Sequence, residues 1–303
     1  MKTLGVLIKR NVKLFFKDKG MFFTSLITPA ILLVLYVTFL GNVYRDTFTS
    51  SLPEGFVLDS ALMNGLVGGE LISSMLAVSC VTVAFCSNFL MVQDKVSGAI
   101  KDLLVSPVKP STLSLAYYFA NLITTLAVCF VATALCLAYV AIVGWYMSVG
   151  DVFLLILDVV LLVLFGNALS SVINFFLSSQ GQISAVGTIV SSGYGFICGA
   201  YMPLSSFGDG LRAVVSFLPG TYGTSLIRTH SMQGALAELQ NNSVPSSVID
   251  KIKDSLDCNL YFFEKPVSQT ASYLIMCISI VVLLAAYVLL NVFRGKHANK
   301  SKA

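Results

Sequence analysis

Charge is what this 303-residue sequence has least of: Asp, Glu, Lys and Arg make up 11% of it, against roughly 25% in a soluble domain. Its hydrophobic share is 56% and its mean hydropathy +0.84. That balance excludes a pair of soluble domains and defines a polytopic helical membrane protein. The net charge of +4 is spread along the chain instead of clustered, so nucleic acid is not an expected partner. Histidine is nearly absent. His230 and His297 both lie outside the long apolar runs, which removes a membrane-embedded serine–histidine pair and an H-E-x-x-H zinc site. No G-x-x-x-x-G-K-[ST] stretch occurs; Gly295-Lys296 runs on to His297, so ATP binding of the P-loop kind is excluded on this chain. Of the seven cysteines only Cys258 stands in a polar stretch. They read as small buried hydrophobes, with neither a disulfide framework nor metal-ligand spacing.

What is present is a series of apolar runs. Residues 1–20 form an amphipathic start, with Leu4, Leu7, Ile8, Val12, Phe15 and Phe16 on one face and Lys2, Lys9, Lys13 and Lys17 on another. Such a helix lies in the interface plane. It is too long and regular for a signal-peptide leader, and no cleavage site follows. Six spans are expected, near Met21–Leu40, Leu66–Met91, Leu113–Val143, Val152–Leu177, Ile183–Met202 and Ala271–Phe293. The third is long enough to tilt. An even number of spans puts both termini on one side. Termini and the loop after the second span carry thirteen of the nineteen Lys and Arg, so that side is expected to be cytoplasmic.

That loop, Val92–Leu113, does not read as a loop. Val96, Ala99, Ile100, Leu103 and Leu104 recur at helical spacing, with Lys95, Ser97, Gly98, Lys101 and Asp102 opposite. Asp94 is placed to cap a helix that Pro107 and Pro110 stop. A helix over Asp94–Val105 would be a peg about 18 Å long, its Leu103–Leu104 stripe free for a partner. The competing reading is a helix lying on lipid headgroups. On the other side, residues 203–270 form one long segment. In it Leu211–Arg228 reads as two short apolar helices split by Pro219-Gly220, re-entrant or interfacial. A small helix is expected over Ser247–Leu256.

Ser97-Gly98-Ala99 followed by DLLVSPV, together with the MPLSSF (Met202–Phe207) and FLPGTYGTSLIR (Phe217–Arg228) stretches, resembles the permeases of type-2 ABC exporters. The likeness extends over most of the chain; the lead-in to the peg is less charged than the family usually shows. It implies one all-α transmembrane domain over 1–303, with an interfacial helix at 1–20, a coupling helix at 94–106 and an outer segment at 203–270. It also implies a transport subunit and not an enzyme. ATP and Mg would be held on a separate ABC ATPase, and a second permease copy or paralogue would complete the path in a bacterial plasma membrane. Val96, Ser97, Gly98, Ala99, Ile100, Lys101, Asp102, Leu103 and Leu104 would then be the ATPase-coupling residues. The largely apolar path suits a lipophilic, peptide or drug-like substrate; a lipid-linked glycan, or transport driven by an ion gradient, is the alternative.

Two constellations leave their reading open. Gly187, Ser191, Gly195 and Gly199 repeat every fourth position, as do Gly69, Ser73 and Ala77 more weakly. Small-residue stripes let helices approach closely. Both could be packing within the chain; by resemblance to the family, both would face the substrate path or subunit interface. Asp158 reads as the acidic residue inside a span, about 10 Å from its edge. Intramembrane carboxylates are functional candidates. With no Lys, Arg or His at that depth to pair with, protonation or bonding to Ser or Thr is the plainer expectation. No metal site is expected.

Overall fold

The computed structural model describes residues 2–52, 58–105, 108–263 and 265–300. Helix α1 (Lys2–Lys17) is the expected amphipathic start: Leu7 and Phe15 are buried, Lys2, Lys9, Lys13 and Lys17 are exposed, and it packs on the third long helix. Asp18 ends it and begins the next element. Its carboxylate accepts from Met21 N at 3.1 Å, the N-cap bond that such a residue supplies. The chain therefore turns with no loop into α2 (Lys19–Leu35), a π-helical turn (Tyr36–Leu40) and α3 (Gly41–Ser51). The sequence reading stopped this span at Leu40 and left 41–64 as a mixed polar stretch. The helix continues through Ser51, and the hydroxyls of Thr47 and Thr49 bond the carbonyls four residues back, Val43 and Arg45, so these polar side chains are satisfied without leaving the helix.

Helix α4 (Ser60–Val96) is 37 residues long, about 55 Å, and is the axis of the molecule. Helices α2, α6 (Pro110–Val143), α7 (Val149–Phe176), α8 (Gln180–Ile197) and α10 (Pro219–Asn241) all pack on it, and nearly all of it is buried. A helix apolar all round belongs in such a place. By contrast α12 (Gln269–Lys300) leaves Leu274, Ile278, Val281, Val282, Val288 and Leu289 exposed, the surface a lipid solvent would cover.

Local chemistry sets the other boundaries. Pro110 sits in the first turn of α6, where its missing N–H costs nothing. Ser148 with Asp151, and Ser179 with Gln182, form capping boxes that start α7 and α8. Gly199, at φ +74°, ends the fifth long helix as Ala200 N bonds Gly195 O at 2.9 Å. Five helices are long and apolar enough to cross a membrane among the described residues: Lys19–Ser50, α4, α6, α7 and Gln269–Phe293 of α12. Helix α8 overlaps the expected fifth span, Ile183–Met202, but stops at Ile197, is 18 residues long and carries Gln180, Gln182, Ser184, Thr188, Ser191 and Ser192; it is not among the five.

The bundle has two ends. At one, the start of α4 meets the end of α6, where Gly65 faces Tyr146 and Gly144, and Asp158 meets Tyr273 at the start of α12. At the other, Lys95 of α4 meets the end of α7, and Ser114 of α6 bonds Asn291 of α12. The first end carries residues 198–268. There α9 (Asp209–Val215) precedes a break, and α10 starts at Pro219 as expected. However, α10 does not stop near Arg228; it runs 23 residues to Asn241, buried against α4 and α7. Helix α11 (Ser246–Ser255) and an antiparallel hairpin follow, β1 (Leu260–Phe262) and β2 (Lys265–Val267), with Tyr261 opposite Pro266.

Candidate coupling end and transport groove

The peg differs from its expected form. Helix α4 passes through Asp94 to Val96, so Asp94 is the end of one helix and not the cap of another. The break falls at Ser97-Gly98, where Gly98 takes φ +84°, a conformation that costs other residues about 1–2 kcal/mol. Only Ala99–Val105 forms α5, about 10 Å long. Ser106 and Pro107 lie outside the described residues, as does the Leu104 side chain.

Two residues of the expected stripe, Ile100 and Leu103, face home, while Val96 is exposed. Ile100 and Leu103 pack against a cluster of Leu7 from α1, Met91 from α4, and Leu113, Ala116 and Tyr117 from α6. Val96, Ser97, Lys101 and Asp102 are exposed, Gly98 and Ala99 are half-buried, and Val105 is 88% exposed. The face open to another chain is therefore Lys101, Asp102 and Val105.

Behind the Gly98 hinge the end of α4 is braced on two sides. Asp94 takes both guanidinium nitrogens of Arg10, at 2.7 and 3.3 Å, and the hydroxyl of Tyr117. This hydrogen bond and the charge of Asp94 raise the Arg10 pKa above its ordinary value, against the effect of partial burial. Lys95 donates to the carbonyls of Asn174, Phe175 and Leu177 at 3.0–3.2 Å. A cation on the last carbonyls of a helix satisfies groups that have no partner inside it. One helix end thus holds α1 and α6 through Asp94, and the α7–α8 turn through Lys95.

A groove of about 1010 Å³ lies between α2, α4 and α8, at the upper end of small-molecule sites. Ile27, Ile31 and Leu35 give it apolar walls; Thr24, Thr28, Ser184 and Thr188 add hydroxyls. The structure separates the two small-residue stripes. Gly187 and Ser191 line this groove, Gly187 against Phe89. Gly195 instead accommodates the Tyr201 ring, and Gly199 lies beside Asp257. Gly69, Ser73 and Ala77 are buried inside the chain; a Cβ at Gly69 would stand 2.9 Å from Ser231 O on α10. That stripe seats α10 and faces no groove.

Two buried charge clusters were not visible in the sequence reading. Glu70, on α4, is a second acidic residue within an expected span. Its Oε2 lies 2.8 Å from Arg228 Nε, and both side chains are 1% exposed. Arg228 also bonds Leu256 O at 2.8 Å, Gly199 O at 2.9 Å and Ser74 Oγ at 3.3 Å, with Asp257 3.7 Å away. Burial pushes the Asp257 carboxyl up to about 6, against the pull of Arg228 and of the Leu204 N–H that it accepts. Asp158 is likewise paired, contrary to expectation: His230 Nδ1 lies at 2.6 Å and the Tyr273 hydroxyl donates at 2.7 Å. The long α10 carries His230 to that depth, which is why the sequence placed it outside. Replacing Asp158 by Ala leaves the buried His230 without this partner, at about 1–3 kcal/mol, and releases the hydroxyl of the half-buried Tyr273. The expected result is a clear fall in the melting temperature of the detergent-purified protein, with a smaller fall for Asp158→Asn.

These clusters join helices, and among the described residues no group of three His, Cys, Asp or Glu could hold a metal. A braced end with a short helix beyond Gly98, a central buried helix and a groove open at one side describe a multi-pass helical membrane protein. The sequence profile of the ABC-2 type transporters matches residues 2–230, and the chain belongs to that family. No curated protein matches it at a significant level.

Proposed function

We propose that this chain is the permease subunit of an ATP-driven exporter, powered by a separate ABC ATPase that holds ATP and Mg. It works beside a second copy or a paralogue and moves a lipophilic, peptide or drug-like substrate outward. The observation that carries this reading is the groove between α2 and α8. Its apolar wall continues onto exposed Phe23, Ile27, Ile31 and Leu35, so a second permease set against these helices would close it into a path. The hydroxyls along it offer hydrogen bonds, and Asp18 places a carboxylate in its lining.

The coupling end supports the power source. Force on α5 passes through the Gly98 hinge to α4, and from Asp94 and Lys95 to α1, α6 and α7 at once. An ATPase that moves α5 would thus move the groove wall, since α4 and α8 both line it. The paired state of Glu70 and Asp158 is poor support for an ion-gradient mechanism, which needs carboxylates that exchange ions.

The test is co-expression with a candidate ATPase. Expected are co-purification, ATP turnover by the complex and none above background by this chain alone; turnover by the isolated chain would overturn the reading. Six crossings with both termini cytoplasmic complete the proposal. In a variant lacking the seven native cysteines, a cysteine at Lys251 should react with an impermeant reagent in intact cells, and one at Lys101 should not. Labelling of position 101 from outside would reverse the topology.

A further inference from the structure

The bundle end opposite α5 carries an apolar surface that neither the groove nor the coupling end uses. Leu211, Val214 and Phe217 are all exposed, three residues apart along and just past α9, so they share one face. Phe217 meets the hairpin: its ring lies 5.1 Å from Phe262 and 5.8 Å from Phe263, and those two rings are 4.9 Å apart. Phe263 is 62% exposed and holds φ at +46°. That conformation favours Gly or Asn, and for a bulky residue it is uncommon. An aromatic ring is thus held in a disfavoured backbone at the tip of the hairpin, packed on Phe217 and Phe262 with most of its surface turned outward.

We infer that this wedge inserts into the lipid leaflet at its end of the bundle and anchors residues 203–268 to the membrane interface. Three observations select lipid as the occupant. The hairpin runs within two residues into α12, whose Leu274, Ile278 and Val281 are exposed along a membrane-crossing helix, so the wedge continues a lipid-facing surface. At the same end Ile142, the single tryptophan Trp145 and Val149 are also exposed, and aromatic residues gather at that level of a bilayer. Arg212 and Lys265 are exposed beside the wedge, Arg212 near Asp209 at 3.8 Å, placed for phosphate headgroups. The inference holds whichever end faces outward.

The test uses the full chain with Trp145→Phe and Phe263→Trp, reconstituted in phosphatidylcholine vesicles, with Phe217→Trp in the same background as a second reporter. Acyl chains brominated near the headgroup should remove most of the emission of both reporters, and aqueous iodide little. Strong iodide quenching with no effect of bromolipid would overturn the inference. Protection from both quenchers that disappears when the protein is diluted in the vesicles would assign the face to a second copy instead, and would overturn it equally.

Discussion

Changing Arg228 to Met is expected to remove most folded protein from the membrane fraction and to lower the melting temperature of what remains. Arg228 is 1% exposed, and it is the cation that answers both Glu70 and Asp257. Methionine fills a similar volume but leaves a buried carboxylate on α4 and another before β1, with Leu256 O and Gly199 O losing their donors. Removing one partner of a buried ion pair costs about 3–5 kcal/mol, a large part of the roughly 5–15 kcal/mol that holds a domain folded. Arg228→Lys should recover only part of this, because one ammonium cannot reach five groups arranged around a planar fork. The informative comparison is Arg228→Met with Glu70→Leu and Asp257→Asn. Without the carboxylates the site becomes apolar and hydrogen-bonded, and such replacements are often neutral. Folded yield by size-exclusion chromatography and the thermal midpoint in detergent decide the matter. An unchanged midpoint for Arg228→Met alone would show that the cluster does not secure residues 199–258 to α4.

The contrast between Arg228 and the helix caps shows which parts of the fold a sequence makes legible. Pro219 acts within one turn of chain, and the break it sets was read; Ser148 with Asp151 and Ser179 with Gln182 are as local, but the sequence reading placed those starts three residues late, at Val152 and Ile183, because it followed the apolar runs and not the caps. The apolar face of α1 was readable because its repeat is local too. Glu70 and Arg228 are 158 positions apart, and His230 and Asp158 are 72 apart; only the packing of α10 into the bundle brings each pair together. The length of α10 was itself obscured by its polar residues, since a helix buried among other helices need not be apolar throughout. The peg illustrates a different limit. Periodicity shows that Ile100 and Leu103 must be covered, but not by what; Leu7, Met91 and Leu113 cover them within the chain.

That last point changes which substitution should uncouple the machine. If α5 docks an ATPase, the contact is made by its outer face, and Val105 with Lys101 and Asp102 is that face. Val105→Asp together with Lys101→Glu is expected to leave folding untouched, because both side chains project away from the α1–α4–α6 cluster. Binding should suffer severely. Losing a buried valine costs about 1.5 kcal/mol or more, and a carboxylate forced against an apolar pocket costs about 2 kcal/mol further. Together these are two to three orders of magnitude in affinity. Leu103→Ser is the control, since its side chain packs between α5 and the bundle. It should lower the thermal midpoint and the protein level, while the protein that survives retains its partner. Protein level, ATPase co-purification and substrate export measured in the same cells separate the two effects. Normal co-purification and export by the Val105→Asp, Lys101→Glu protein would remove α5 as the docking element. A uniform loss of protein in that variant would instead mean that its outer face is needed for the fold.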